Sequence, residues 1–386
     1  MIGLPTGITL DLDAVSLLVR WLLGWVLLPT VPGLPRTALR APAGGASDPS
    51  APSQVSVVIP ARNEEDALAI LLPALSAQNH RAMEVIVVDD HSTDRTAKVA
   101  ADHGATVVSA APLPPGWTGK TWAVNQGAHL ARGDVLVLLD ADTRPAPDLL
   151  TRLLSACQRH GGLVTVQPYH LMVRPVERLA AMFNLIGVMG ARLGRRTGTA
   201  FGPVMATRKA DYEATGGHAL VRSAIVEDIA LGREYRRRGL PVHSFGGRDA
   251  VAFRMYPHGL GQLVEGFTKN IAAGALGIPW WTLLLIVGWL SGAMVAAWEL
   301  PAALVGWALG GDPPALGICV LYALYAIQLT VMLRQLGNFG PTALLFPLAI
   351  AGFLLIFIRS LLGSLRGEVT WKGRTVVTGT RNRSPR

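Results

Sequence analysis

The 386-residue sequence has few cysteines and few charged residues. Cys157 and Cys319 are its two cysteines, too few for a framework of several disulfides or for a four-cysteine zinc site. Charged residues make up 16% of the chain and hydrophobic residues 50%, whereas a water-soluble domain has about 25% charged residues. The mean hydropathy is +0.36. This composition argues against a disordered chain and against a purely water-soluble protein.

Four apolar segments approach the ~20 residues that a helix needs to cross the hydrocarbon core of a membrane. They are Ala14–Val31, Trp281–Trp298, Ala315–Leu333 and Pro341–Ile358. They predict an N-terminal transmembrane anchor over 1–32 and a C-terminal transmembrane region over 279–363. A cleaved signal peptide is the alternative for the first segment. It fits poorly because the acidic residues Asp11 and Asp13 precede the apolar run.

The formal net charge of +9 suits either nucleic acid or an anionic membrane. The basic residues gather near the apolar segments, so we expect a membrane partner and no nucleic acid. A linker over 33–54 and a basic tail over 364–386 flank the other regions, and the tail has six Lys or Arg residues against one Glu. The positive-inside rule puts this tail in the cytoplasm.

We therefore expect a multi-pass protein of the cell (inner) membrane whose middle domain, 55–278, faces the cytoplasm. That orientation requires one apolar segment to be re-entrant or to lie in the membrane interface. Two further apolar stretches, Pro175–Leu193 and His258–Ile278, are predicted to join the domain to the bilayer as interfacial helices. Within the second, Leu263 and Phe267 are expected to border an entrance for the acceptor. Packed core helices are an equally open alternative for both stretches.

The middle domain alternates between strand and helix patterns, which predicts a mostly parallel sheet covered by helices, the α/β class. The predicted strands are Val55–Ile59, Val85–Val88, Thr106–Val108, Val135–Leu139 and Leu163–Val166. The predicted helices are Glu64–Gln78, Thr93–His103, Thr121–Ala131 and Asp148–His160. Ligands of such sheets bind beyond the carboxyl ends of the strands, so the residues at those ends are the candidate site.

Polar residues follow the first, second and fourth predicted strands directly. Arg62 and Glu64 come after the first strand, Asp90 after the second, and Asp140 and Asp142 after the fourth. Two carboxylates one residue apart repel each other unless a cation lies between them. Carboxylate oxygens are ligands that Mg²⁺ and Mn²⁺ prefer, usually together with substrate phosphates. The sequence therefore predicts a divalent-cation site at this edge of the sheet.

Seven ordered motifs between residues 55 and 270 resemble those of the family 2 glycosyltransferases, which have the GT-A fold. The motifs are Val55–Glu65, Val85–Asp94, Gly119–Gly127, Leu138–Asp142, Gly216–His218, Glu227–Leu231 and Arg254–Tyr256. Within that family, Pro114–Lys120 and Trp371–Arg374 are similar to segments of membrane-bound carotenoid glycosyltransferases of the diaponeurosporenoate type. The hopene-associated glycosyltransferases are also similar. The resemblance implies a GT-A domain followed by transmembrane helices.

The resemblance also implies the donor, a nucleoside-diphosphate sugar of the UDP-glucose type, and a divalent cation, Mg²⁺ or Mn²⁺. Asp142 would hold that cation against the diphosphate, and Asp90 would contact the base. A solvated surface lysine is the alternative interpretation for Lys120. The residues that the resemblance assigns to the donor are Pro60, Arg62, Glu64, Asp90, Lys120, Asn125 and Asp140.

The resemblance makes Asp228 the general base that deprotonates the acceptor, which implies inversion at the anomeric carbon. A helix cap is the alternative for Asp228. Arg254 keeps the cation of the Gln-x-x-Arg-Trp pattern of processive synthases, but Tyr256 replaces its Trp and Val251 its Gln. The replaced Trp and Gln favour a single transfer over processive polymer synthesis. The retained cation, Arg254, would contact the diphosphate. The possible residues of the acceptor side are His218, Glu227 and Tyr256, and a structural histidine is an equally open alternative for His218.

The expected activity is transfer of a sugar to a hydrophobic lipid, such as an oxygenated carotenoid. A hopanoid, another glycolipid precursor or a polyprenyl phosphate is the alternative acceptor. A transporter or receptor with a nucleotide-binding domain is disfavoured, because Asp142, Asp228 and Arg254 suit transfer and have no role in binding alone. The sequence contains no Gly-x-x-x-x-Gly-Lys-Ser/Thr motif that would indicate an ATPase.

Overall fold

The computed structural model describes residues 2–3, 9–10, 12–28, 32–36, 54–191, 200–224, 226–275, 278–366, 368–371 and 374–377. Most of the predicted linker 33–54 and about half of the basic tail 364–386 lie outside the described residues. The N-terminal elements are β1 (Ile2–Gly3), β2 (Thr9–Leu10) and α1 (Leu12–Leu27). A short C-terminal hairpin is formed by β13 (Glu368–Trp371) and β14 (Arg374–Val377).

A seven-stranded sheet forms the centre of the middle domain. Its strands are β3 (Val55–Ala61), β4 (Glu84–Asp89), β5 (Thr106–Ser109), β6 (Val135–Leu139), β8 (Leu163–Gln167), β10 (Val204–Arg208) and β11 (Val242–Gly246). They lie in the order β11-β8-β10-β6-β3-β4-β5. All neighbours are parallel except β10, which is antiparallel to both β6 and β8. The predicted α/β class is confirmed, but the antiparallel strand β10 and the parallel edge strand β11 were not predicted.

Helices cover both faces of this sheet, which explains why its strands are apolar without alternation. Val57 and Ile59 pack on one face with the leucines of α2 and α5, whereas Val58 and Leu138 pack on the other face with α4 and α9. The helices of the domain are α2 (Glu65–Ser76), α3 (Thr96–Asp102), α4 (Gly119–Leu130), α5 (Leu149–His160), α7 (Lys209–Ala214), α8 (Gly217–Leu220) and α9 (Glu227–Arg237).

A second, three-stranded sheet lies beside the first and was not predicted. It consists of β7 (Thr143–Pro145), β9 (Tyr169–His170) and β12 (Val251–Phe253), with β12 in the middle. Phe253 pairs with Thr143 of the antiparallel β7 and with His170 of the parallel β9. This register brings the residues after β12 next to the residues before β7.

The remaining helices form a separate apolar core. They are a 3₁₀ helix (Pro175–Ala180), α6 (Ala181–Ala191), α10 (Leu260–Ala275), α11 (Trp280–Ala308), α12 (Leu316–Leu336), a 3₁₀ helix (Gly340–Ala343) and α13 (Phe346–Arg366). Among the described residues, α11 and α12 are long and apolar enough to cross a membrane, by length and composition alone. The apolar part of α13, Phe346–Leu362, is shorter. It begins later than the predicted segment because the chain first forms the second 3₁₀ helix.

The two stretches predicted to be interfacial contribute to this apolar core. Leu263 is 1% exposed and Phe267 is 7% exposed, and the ring of Phe267 stacks on Phe183 at 4.1 Å between centroids. The expectation that Leu263 and Phe267 border an acceptor entrance is therefore wrong. Their apolar faces are covered by neighbouring helices of the chain.

A buried polar cluster ties α1 to the apolar core. The amide of Gln328, on α12, donates from Nε2 to the carbonyl of Trp21 at 2.9 Å. Its Oε1 accepts from Nε1 of Trp289, on α11, at 2.7 Å. Gly24 lies against both side chains, and any Cβ there would lie 2.5 Å from them. Buried amides need such partners, so α1 completes the helical core.

Candidate active site

Two loops at the carboxyl edge of the central sheet hold strained backbone. Asn63 (φ 53°) and His91 (φ 55°) follow β3 and β4 in the left-handed region, which non-glycine residues seldom adopt. The Oδ1 of Asn63 accepts from the backbone N–H of Thr93 at 2.8 Å, which joins the loops. Arg62 and Asp90 lie in the same loops, with 3.7 Å between Nη1 and Oδ2. Such strain is typical of functional sites.

The Asp142 carboxyl, just after β6, experiences the negative charge of two other carboxylates. Burial, then the negative charges of Asp140 and Glu64, raise the pKa of Asp142 to about 7, although Lys120 opposes the shift. Glu64 is held in place by its backbone N–H, which donates to Oγ1 of Thr96 at 2.8 Å. Mutual repulsion among carboxylates is relieved when a cation binds between them.

Lys120 lies between two of the predicted motifs. It stands in the first turn of α4, whose cap Thr118 exchanges hydrogen bonds with Thr121. Its Nζ lies 2.8 Å from Oδ1 of Asp140 and 2.9 Å from Oε1 of Glu227. Burial alone would lower its pKa, but the two carboxylates raise the pKa well above the usual value. Lys120 is therefore an ion-paired bridge, and the solvated-lysine alternative does not fit.

Asp228 stands in the first turn of α9, next to Glu227. Its Oδ2 accepts from the backbone N–H of Gly202 at 2.7 Å, and its Oδ1 accepts from that of Ile229 at 2.8 Å. A Cβ on Gly202 would lie 3.2 Å from Oδ2, so glycine permits this close approach. Burial, then the charge of Glu227, raises the pKa of Asp228 to about 7 against the opposing charge of Lys120. A carboxylate with such a pKa suits general base catalysis near neutral pH.

The three-stranded sheet places the Arg254 motif beside the residues that lead into β7. Because Phe253 pairs with Thr143, Arg254 leaves β12 where Asp142 leads into β7. Tyr256 has a positive φ of 57°, and its ring lies against Gly266, where a Cβ would be 2.6 Å from the hydroxyl. Burial, with the charge of Asp142 adding to it, raises the pKa of the Tyr256 phenol. Tyr256 thus lies within the electrostatic influence of Asp142, and its contact with the acceptor stays a prediction.

Arg254 is held by a carboxylate that sequence reasoning missed. Its Nη2 and Nε donate to Oε1 of Glu177 at 2.6 and 3.2 Å. Glu177 lies in the first 3₁₀ helix and is 1% exposed. Its one sequence signal is that an acidic residue interrupts the apolar stretch from Pro175 onwards. A carboxylate buried in such a stretch needs a charged partner, so its position could have pointed to an ion pair.

Two other predicted residues are buried away from solvent. His218 is fully buried, and its Nδ1 lies 2.8 Å from the hydroxyl of Tyr212. Burial lowers the pKa of His218 to about 4, so it is neutral at pH 7, and its burial fits a structural role better than acceptor contact. Asn125 lies on α4 and is 9% exposed. Pro60 lies within β3, paired with Val88 of β4.

The described residues contain no group of three or more His, Cys, Asp or Glu side chains that could hold a metal ion. The carboxylate of Asp142 nevertheless fits a divalent cation as one of its ligands, since the negative charges of Asp140 and Glu64 act on it. Mg²⁺ is commonly bound by one or two carboxylates with substrate phosphates completing its ligands. A site that a bound diphosphate completes agrees with both observations.

The sequence and fold are similar to those of known glycosyltransferases. The profile of the family described as glycosyl transferase family 2 matches residues 56–216. The chain is 38% identical over 335 residues to the 4,4'-diaponeurosporenoate glycosyltransferase of Staphylococcus aureus (strain USA300), covering 83% of this chain and 87% of that protein. This chain belongs to glycosyl transferase family 2. It is therefore a glycosyltransferase, as the sequence motifs predicted.

A solved structure supports the same fold. The mannosyltransferase PcManGT from Pyrobaculum calidifontis, in complex with GDP-Man and Mn²⁺, is 19% identical with a TM-score of 0.51. The match covers 92% of this chain and 96% of that one. At this identity the likeness concerns the fold alone, and it confirms the predicted GT-A class for this glycosyltransferase.

Proposed function

We propose that this glycosyltransferase moves a sugar from a nucleoside-diphosphate sugar, of the UDP-glucose type, to a hydrophobic lipid such as an oxygenated carotenoid. The observation that carries the proposal is the Lys120 bridge, which brings Asp140 and the Glu227-Asp228 pair together at one edge of the sheet. The name of the 38% identical relative, a glycosyltransferase for a carotenoid acid, supports the acceptor class.

The donor lies along the carboxyl edge of the sheet in this proposal. Asp90 contacts the base, while Arg254 contacts the diphosphate. Asp142, with Asp140 and Glu64 near it, holds Mg²⁺ or Mn²⁺. The cation supplies Lewis-acid stabilisation of the negative charge on the leaving diphosphate. The remaining donor residues of the proposal are Pro60, Arg62, Lys120 and Asn125.

Asp228 acts as the general base. Its carboxylate takes the proton of the acceptor hydroxyl or carboxyl group while the acceptor oxygen attacks the anomeric carbon. The bond from that carbon to the diphosphate breaks in the same displacement, and the nucleoside diphosphate leaves. Gly202 and Ile229 hold the carboxylate through their N–H groups. Attack from the face opposite the leaving group inverts the anomeric carbon.

The apolar helices carry the membrane part of the proposal. Trp280 and Trp298 of α11 are each 73% exposed. They are separated by 18 residues, which corresponds to roughly 27 Å along a helix, close to the thickness of a hydrocarbon core of about 30 Å. Tryptophan favours both membrane interfaces. We infer a multi-pass protein of the cell membrane with its catalytic domain on the cytoplasmic side, where nucleotide sugars are made.

The test uses the full chain in lipid nanodiscs with UDP-glucose and Mn²⁺. A carotenoid acid, a hopanoid alcohol, a polyprenyl phosphate and a soluble sugar are offered as acceptors in separate reactions. We expect glycosylation of the carotenoid acid, loss of activity with a chelator, and a β-linked product by nuclear magnetic resonance. If the enzyme prefers the hopanoid or the polyprenyl phosphate, that lipid replaces the carotenoid as the proposed acceptor. Glycosylation of the soluble sugar alone would overturn the lipid acceptor.

A further inference from the structure

We propose that Glu177 is a positioning residue that aims the guanidinium of Arg254 at the donor diphosphate. The inference rests on the proposed function for one point, the contact between Arg254 and the donor. Glu177 belongs to the 3₁₀ helix at the start of the helical core, far along the chain from the strand-end motifs. Its carboxylate is the one charged group of the described residues that an ion pair joins to Arg254.

Arg254 is bound along one edge of its guanidinium. Nε and Nη2 both point to the same oxygen of Glu177, which leaves the Nη1 corner directed elsewhere. The side chain of Arg254 is 21% exposed, whereas that of Glu177 is 1% exposed. A guanidinium held on one edge and open at the other can donate to a second anion, as in contacts between arginine and phosphate.

Glu177 is itself fixed before it meets Arg254. Its second oxygen, Oε2, accepts from the backbone N–H of Val173 at 2.7 Å. Burial would raise its pKa, but the bonds from Arg254 and from backbone N–H groups lower the pKa below the usual value. The carboxylate is therefore charged and has both oxygens engaged, so it offers Arg254 a single direction.

The segment that leads to Glu177 is bound to the chain just after β12 and to the helical core. Nη1 of Arg174 donates to the carbonyl of Pro257 at 3.1 Å. Oδ1 of Asn338, just after α12, accepts from the N–H of Met172 at 2.6 Å. Both bonds hold the residues just before Glu177, so this segment fixes where Glu177 meets Arg254.

A buried carboxylate opposite Arg254 also balances its charge before the donor arrives. Loss of that carboxylate would leave a long, flexible side chain without a fixed direction beside the Asp142 carboxylate. Arg254 would then turn toward the acidic cluster and away from the position of the diphosphate. Misplacement of a binding group by about 1 Å can cost about 100-fold in rate.

The test compares Glu177→Gln, Arg254→Ala and the double variant in the full chain, with Mn²⁺ present. The probe is UDP, whose Kd is measured calorimetrically, beside kcat/KM for donor hydrolysis. We expect each single variant to lose about 10- to 100-fold in affinity for UDP, and the double variant to lose no more than Arg254→Ala does. Glu84→Gln is the control, because Glu84 is also buried against an arginine, Arg132, at the opposite edge of the sheet.

Several results would overturn the inference. UDP affinity within twofold of the parent in Glu177→Gln, or losses that multiply in the double variant, would show that Glu177 does not act through Arg254. If Glu177→Gln does not fold, Glu177→Asp decides the question, since it keeps the charge but withdraws the carboxylate by one methylene. We expect Glu177→Asp to weaken UDP binding at an unchanged melting temperature, and unaltered binding would count against the proposal.

Different results would contradict the proposed function and the inference on Glu177. If the parent protein binds UDP but glycosylates no lipid, the acceptor proposal falls and the Glu177 comparison still applies. If Arg254→Ala binds UDP as the parent does while lipid transfer continues, the inference on Glu177 falls and the proposed transfer stands.

Discussion

The titration of Asp228 offers the sharpest test of its role as general base. Burial and the charge of Glu227 raise the pKa of its carboxyl to about 7, well above the ~3.9 of an exposed aspartate. A base must be deprotonated to accept a proton. Transfer should therefore increase as the pH rises through 7 and should decline below it.

The size of the effect follows from the ionised fraction. With a pKa of about 7, about 1% of the Asp228 carboxyl groups are ionised at pH 5 and about 90% at pH 8. We expect kcat/KM to fall about tenfold for each pH unit below 7, or close to 100-fold between these two values. An aspartate with an ordinary pKa would lose little activity over the same interval.

The assay is the rate of glycosylation of a lipid acceptor with a hydroxyl group, from pH 5 to pH 9 at saturating Mn²⁺, because a carboxyl acceptor ionises in the same range and then needs no base. The pKa of Asp142 is also raised to about 7, so its protonation competes with Mn²⁺, and saturating metal moves that titration to lower pH. Asp228→Asn is the control, and we expect it to lose about 10²–10⁴-fold in kcat and to have no limb near pH 7. A flat profile from pH 5 to pH 8 in the parent would refute the assignment of Asp228 as the base.

Three further predictions concern the cation, the bridge and the helical core. Asp142→Asn should nearly abolish transfer with an unchanged melting temperature, and full activity in a chelator would contradict this. Lys120→Met removes a charge that lowers the pKa of Asp228, so the acid limb of the pH profile should move to higher pH; a shift to lower pH would exclude the bridge. Phe267→Ala should lower the free energy of unfolding by about 3–5 kcal/mol, and unaltered thermal unfolding would show that Phe267 is not buried.

The linear sequence sufficed for the features that depend on neighbouring residues. Five of the seven strands of the central sheet, the helices between them and the polar residues at the strand ends were predicted within a few residues, and β6 was predicted at its observed bounds, Val135–Leu139. Asp140 and Asp142 were found because they are separated by one residue and follow that strand. Strand periodicity and a following carboxylate are local signals, so the pattern alone identifies them.

Only the tertiary structure decided which distant side chains meet. Lys120 lies between Asp140 and Glu227 because α4 and α9 pack on the same face of the sheet. Arg254 and Asp142 lie at the same end of the β12–β7 pair because Phe253 is in register with Thr143, and both strands are too short to be predicted. The pairing of Glu177 with Arg254 and the burial of Leu263 and Phe267 were likewise decided by the tertiary structure alone. An apolar helix has the same sequence pattern whether lipid or another helix covers it, so its partner is set by packing across the fold.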